Sequence, residues 1–408
     1  MQTIFYNAKI LTMNEKEPLS QAMLVNDDSI VFVGKNDEVL ALKQDETQLV
    51  DMHEKTVLPT FFDNNVQVYQ MIEQNLKNAK KLKNIEIFDE NDENYEIFVN
   101  FEVYKKEFLK IQKEFLKHGI TTVQELGVTP AEFVFWKKLS EEKLLKIDVV
   151  AYVDIITAKK VMDDNCRTYR KYRNGFRLGG YYLALDGDVI EKKAWLKRPY
   201  KHQKGYCGYT EIFEEQLEFL IKTALEEKKQ LMVSASGDRA VEMFINCFES
   251  VVKKEKVEDK FKPVIINAGL LSKKQIEKMS KLDMVASFKL ADANFKKDIL
   301  KNLGMLRFKN FQPIKLIKKC GQEYLIQTDS QEIQNLIELY HLTAISKNVS
   351  FDELLKVAFL SLSNKVFDGE QKGSLESGKL ANFLVIDSKE ENLSDLKIEE
   401  IYLKGEKI

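Results

Sequence analysis

The sequence predicts an α/β protein: a TIM-like (β/α)8 barrel joined to a small β-sandwich that both chain termini build. Three observations lead there. The middle of the chain alternates short apolar runs with amphipathic stretches of helical period. Eight such runs can be counted, the number this barrel requires. Both ends of the chain instead alternate apolar and polar residues at period two, broken by turn residues.

The first β-rich region covers residues 1–57. Runs at 22–25 and 30–33 flank the turn Asn26-Asp27-Asp28-Ser29 and read as a hairpin. Runs at 49–52 and 56–58 flank a second turn, also read as a hairpin, which carries His53. The matching C-terminal region, 370–408, holds apolar runs at 383–387 and 398–405. The barrel is assigned to 58–369. Its strands are expected in the run ending at Phe62 and at 121–125, 148–153, 180–185, 230–234, 263–267, 284–288 and 324–327. Helical spacing is clearest at Phe213, Leu217, Leu220, Ile221, Ala224 and Leu225, which recur at three- and four-residue steps.

Composition bounds the function. At 408 residues the chain fits one large domain and a smaller one. A hydrophobic fraction of 44% with 31% charged residues describes a globular protein. The net charge of -2 offers no basic face for nucleic acid. No apolar run is long enough for membrane insertion, and the N-terminus lacks a signal pattern, so a cytoplasmic location is expected. Abundant Lys, Asn, Ile and Phe suggest a bacterial source with an AT-rich genome. Cys166, Cys207, Cys247 and Cys320 are scattered and read as free, mostly buried thiols. Cys207 as a nucleophile would need a base, and only His202 is close in sequence.

Several blocks carry a resemblance. Residues 56–68 read T-V-L-P-T-F-F-D-N-N-V-Q-V; 117–123 read K-H-G-I-T-T-V; 183–188 read L-A-L-D-G-D; 233–241 read V-S-A-S-G-D-R-A-V; 327–330 read Q-T-D-S; 372–387 read K-G-S-L-E-S-G-K-L-A-N-F-L-V-I-D. In this order they resemble the amidohydrolase superfamily, in the branch called amidohydrolase family 3. The resemblance implies a hydrolase of carbon–nitrogen bonds whose divalent metal is held by an H-x-H pair on the first strand, a lysine on the fourth, histidines on the fifth and sixth and an aspartate on the eighth. Carried onto this chain, those positions are Asn65 and Gln67, Tyr182, Ser234, Asn267 and Asp329. Only Asp329 keeps its residue type. Amides and hydroxyls are poor zinc ligands, and a zinc site needs at least three good ones.

The histidines do not repair the set. His53, His118, His202 and His341 are the only four, and no two are spaced to sit together at strand ends. His202, in the loop after the fourth strand, is the one expected to overhang the pocket. Asp186 and Asp238 are further pocket candidates with structural readings, Asp238 as an acid at a helix start. The expectation is therefore no metal and no cofactor, and a barrel mouth lined by polar, mostly uncharged groups with Asp329 as its charge. Such a lining is either a self-satisfied plug or a pocket for a small polar ligand. The function expected is a pseudoenzyme, metal-free and non-hydrolytic, kept to bind a protein partner or for assembly, with a homodimer allowed. The alternatives are a carbon–nitrogen hydrolase with an atypical, metal-independent site, and a small-molecule sensor.

Overall fold

The computed structural model describes residues 2–78, 101–259, 261–290, 293–329, 349–361, 369–387 and 397–408, together with 336, 339, 343 and 347. Eight parallel strands form one sheet in sequence order: β1 (Phe61–Asp63), β2 (Ile120–Val128), β3 (Asp148–Asp154), β4 (Phe176–Ala184), β5 (Leu231–Ser234), β6 (Val264–Ile266), β7 (Val285–Lys289) and β8 (Tyr324–Gln327). Tertiary contacts at the strand tips also join the first and last of them, since the Asp329 N–H donates to the Asn65 carbonyl at 2.9 Å. The intervening helices include α1 (Val68–Asn78), α2 (Phe101–Lys117), α3 (Pro130–Glu141), α4 (Lys159–Asp164), α5 (Glu214–Glu226), α6 (Asp238–Glu255), α7 (Lys273–Lys281), α8 (Ala293–Leu303), α9 (Met305–Lys309) and α10 (Ile314–Lys319).

The strands form where β-branched and aromatic residues run together and both faces are covered. In β3 every residue from Val149 to Val153 is buried, and the two faces divide cleanly. Val150 and Tyr152 point into the barrel with Phe62, Met232, Val264, Ile266, Val285 and Leu325, while Val149, Ala151 and Val153 meet the helices. Helix starts are marked locally. Thr129 and Glu132 form a reciprocal cap at the head of α3, with Pro130 in its first turn. Ser272 and Gln275 do the same for α7.

The chain termini form two further sheets. One holds Ser29–Gly34, Ala22–Asn26, Gln2–Tyr6 and Gln48–Asp51; the other runs Glu406–Lys407, Ile398–Leu403, Phe383–Ile386, Thr56–Pro59, Lys9–Leu11, Leu19–Ser20. Phe5 from the first meets Phe383 and Tyr402 from the second, with ring centroids 5.0 and 5.2 Å apart. The first expected hairpin is present as an antiparallel pair. The second is not: Gln48–Asp51 pairs in parallel with Gln2–Tyr6, whereas Thr56–Pro59 pairs with Phe383–Ile386 in the other sheet. The turn at His53 carries the chain between layers. Strand β4 begins at Phe176, four residues before its expected start, and includes the buried Arg177, whose guanidinium sits over the Tyr172 ring. Among the described residues no helix is long and apolar enough to cross a membrane.

Candidate functional site

The C-terminal ends of β1, β6, β7 and β8 converge on Asp329. The Asn65 amide donates to its Oδ1 at 2.9 Å, and the Asn267 amide to its Oδ2 at 3.3 Å. The network continues inward. Gln327 Nε2 donates to Asn267 Oδ1 at 2.6 Å, and Ser287 Oγ donates to Gln327 Oε1 at 2.6 Å. Asn267 and Asp329 both have left-handed backbones, with φ of 60° and 47°. Asn and Asp tolerate that region better than other side chains, and here it turns both polar ends back over the barrel.

Lys289, the last residue of β7, completes the cluster. Its ammonium donates to the Asp329 carbonyl at 3.0 Å and to Oδ2 at 3.4 Å. The mouth therefore holds a positive charge beside Asp329, and Asp188 adds a second carboxyl to the cleft it lines with Lys289. Lys289 was not foreseen; the available signal was a charged residue at the C-terminal end of a barrel strand, where functional groups gather.

Asp63 supports the rim from beneath. It accepts the Thr328 hydroxyl at 2.6 Å, and burial pushes its carboxyl up to about 6. Glu125 accepts the backbone N–H groups of Val68 and Tyr69 at 3.0 and 3.1 Å, tying β2 to the head of α1. Burial pushes that carboxyl up to about 8. Gln67 stands half-buried at the same helix start, its carbonyl taking the Met71 N–H at 2.9 Å. On the far side Tyr182 and Ser234 share a side-chain hydrogen bond, and burial pushes the Tyr182 phenol up to about 12. The Tyr182 ring fits because Gly127 lies against it: a Cβ there would sit 3.2 Å from the ring.

Asp186 takes three backbone N–H groups, from Trp195 at 2.7 Å, Ser236 at 2.8 Å and Gly237 at 2.9 Å. It ties the loop after β4 to the end of β5, and burial pushes it up to about 7. Asp238 is in the first turn of α6 and accepts the Lys197 N–H at 2.8 Å. His202 does not overhang the site: it is exposed in a left-handed turn and does not line the cleft at the mouth. His53 is exposed and His118 half-buried behind α2; His341 lies outside the described residues. The four thiols are free, but only Cys247 is buried; Cys207 and Cys320 are half-buried and Cys166 exposed.

The space above the cluster is small. A cleft of about 20 Å3 touches Asp188, Ser236, Asn267 and Lys289, roofed by Phe295, Ile299 and Phe311. That volume holds about one water. The roof is an apolar lobe in which Phe295, Ile299, Leu303 and Phe311 pack with Val189, Leu196 and Tyr200 from the β4 loop.

The residues at these positions do not fit a divalent metal. Both Asp329 oxygens face N–H donors, and Lys289 adds a positive charge at the same carboxylate. An amide that donates its hydrogens inward presents no lone pair on that nitrogen, and a neighbouring ammonium repels a dication. Among the described residues no three His, Cys, Asp or Glu side chains gather as a metal-holding group.

An eight-stranded α/β barrel with a two-sheet terminal domain and polar strand tips gathered at its mouth is the architecture of metal-dependent hydrolases of the amidohydrolase type. The family model described as amidohydrolase family matches residues 90–406, and the chain belongs to that family. An uncharacterized metal-dependent hydrolase from Pyrococcus furiosus superposes with a TM-score of 0.77 at 17% identity, covering 95% of this chain and 99% of that one. A Xaa-Pro dipeptidase with bound methionine superposes with a TM-score of 0.66 at 14% identity, over 100% of both chains. Of curated proteins, Exoenzymes regulatory protein AepA of Pectobacterium carotovorum is 40% identical over 63 residues, 15% of this chain and 14% of its own length. Protein LONG AFTER FAR-RED 3 of Arabidopsis thaliana is 22% identical over 311 residues, 69% of this chain and 52% of its own length. The chain thus spans about half or less of the curated relatives it matches.

Proposed function

We propose that this chain is a metal-free, non-hydrolytic member of the amidohydrolase family, a cytoplasmic pseudoenzyme that binds a protein partner or serves in assembly. The observation that carries the reading is the state of Asp329. Its carboxylate, the one family ligand type left, is committed to Asn65, Asn267 and Lys289. Each of its oxygens already accepts from an N–H donor of the protein, whereas a hydrolytic base must be aimed at a water and a substrate. The roofed cleft beside its partners Asn267 and Lys289 has room for about one water. One relative, alike over a segment of 63 residues, is named a regulatory protein.

The test is direct. The protein is purified gently from its own host for native mass spectrometry, then incubated with zinc and manganese and assayed on dipeptides and N-acyl amino acids. The expected result is substoichiometric metal, no turnover and a mass that includes a second protein. Stoichiometric metal with turnover abolished in Asp329→Asn would overturn the reading in favour of a carbon–nitrogen hydrolase.

A further inference from the structure

A second cavity lies outside the barrel, between α8 and α10, with a volume of about 380 Å3. That is the size of a small-molecule pocket. Its walls alternate two chemistries. Phe295, Phe308 and Phe311 supply an aromatic lining, and Lys296, Lys309, Lys315 and Lys347 supply the charge. None of the lining residues is Asp or Glu.

Lys347 is the most informative of them. It is half-buried, and its ammonium donates to the Phe311 carbonyl at 2.7 Å. It has no ion-pair partner among the described residues, and neither do Lys309 and Lys315. Removing an ammonium from water without a counter-charge is costly. Here burial, with the nearby Lys296 adding to it, pushes Lys347 down to about 8. Elsewhere in this chain a buried lysine is paired: Lys372 has Asp148. Among the described residues the groove has the charge without the carboxylate.

We infer that this groove is a binding site for a small amphipathic anion, a compact anionic head on an aromatic or aliphatic body. The head would supply the missing counter-charge at Lys347, with Lys309 and Lys315 at the rim, and the body would lie against Phe295, Phe308 and Phe311. The inference does not rest on the barrel being inactive, because these lysines lie outside the strand tips. It does connect to them. Phe295, Ile299, Phe311 and Gln312 line both this groove and the cleft at the mouth, and Gln312 Nε2 donates to the Lys289 carbonyl at 2.5 Å. A ligand in the groove would brace the roof over Asp329.

Isothermal titration calorimetry of the full chain in a phosphate-free buffer tests this, with phenyl phosphate as the probe, inorganic phosphate as its anionic half and benzyl alcohol standing in for its aromatic half. Saturable phenyl phosphate binding with a Kd below about 1 mM is expected, at least about tenfold tighter than either half. Lys347→Met should weaken it by about tenfold or more, and the exposed Lys315→Ala, which removes no buried contact, by a smaller factor. No saturable binding overturns the proposal. So does equal affinity for benzyl alcohol, or phenyl phosphate affinity unchanged in both variants.

Discussion

The floor of the barrel and its mouth are each closed by a lysine beside an aspartate, and the two pairs are built differently. At the floor, Lys372 enters from the segment that follows the barrel. Its ammonium donates to Asp148 at 2.6 Å, to Thr122 Oγ at 3.2 Å and to the Tyr172 hydroxyl at 3.2 Å, and it lies 4.4 Å from the Tyr172 ring centroid. The side chain is 3% exposed. At the mouth, Lys289 stands 3.4 Å from Asp329 and is 25% exposed, while two side-chain amides supply the other donors. The floor pair is short, its lysine is dry although Asp148 is 20% exposed, and the ammonium is met by groups from three parts of the chain. The mouth pair is longer and wetter, and shares its carboxylate.

The difference follows the division of labour along a barrel. Groups at the N-terminal ends of strands hold the fold together, whereas groups at the C-terminal ends are free to change with function. The block that carries Lys372 keeps its resemblance to the family. At the strand tips the chain places Asn65, Gln67, Ser234 and Asn267, each hydrogen-bonded to another of the mouth residues or to its surroundings. Polar groups at a buried position must be satisfied whether or not chemistry is done there.

The largest expected effect breaks the floor. Lys372→Met removes the ammonium from Asp148, which is 20% exposed, and from the buried Thr122 hydroxyl. Water reaches the abandoned carboxylate in part, so the loss falls below that of a fully buried pair, at about 2–3 kcal/mol. Urea denaturation checks this, and a loss below about 1 kcal/mol would mean that the pair contributes no more than a surface contact.

Next is Asp329→Asn at the mouth. The substitution keeps the shape but turns one acceptor oxygen into an NH2 group, which faces either the Asn65 amide or the Asn267 amide and the Lys289 ammonium. One mismatched donor costs about 2 kcal/mol. The same denaturation series measures it. A pseudoenzyme shows this loss of stability alone; an intact stability with lost turnover would instead mark Asp329 as a working catalytic group.

Much of this organisation was legible in the chain. The eight apolar runs lie where the strands form, since a strand covered on both faces needs an uninterrupted apolar run. The amides Asn65 and Asn267 were legible as mouth residues, because the sequence places them at strand ends, and the structure joins both to Asp329. Three things were not. The runs at 49–52 and 56–58 look the same whether the chain pairs back on itself or crosses to another sheet, because period two reports a face, not a partner. The start of β4 is hidden by Arg177, Gly179 and Gly180, which break its apolar pattern. Arg177 is nevertheless buried against the Tyr172 ring, and Gly180 is required because a Cβ there would lie 2.3 Å from the Gln230 carbonyl oxygen. Lys289 follows an apolar run and reads as the first solvated residue after a strand. Its partner Asp329 is forty positions further on, and the parallel pairing of β7 with β8, which sets Lys289 opposite Gln327, brings the two together.

That late-found lysine gives the smallest and sharpest test of the comparison. Lys289→Met removes a charge that is a quarter exposed, and Asp329 keeps the amides of Asn65 and Asn267 as donors. A partly solvated pair contributes no more than about 1 kcal/mol. Lys289→Met should therefore unfold at nearly the wild-type urea concentration, well above Lys372→Met. If the two variants lose equal stability, the mouth is as firmly closed as the floor, and the contrast between them fails. If Lys289→Met alone also acquires stoichiometric zinc, the ammonium is what excludes a dication from Asp329, and the amides by themselves do not. The expected result is a small loss of stability with no metal gained, which places the exclusion in the whole donor set and not in one charge.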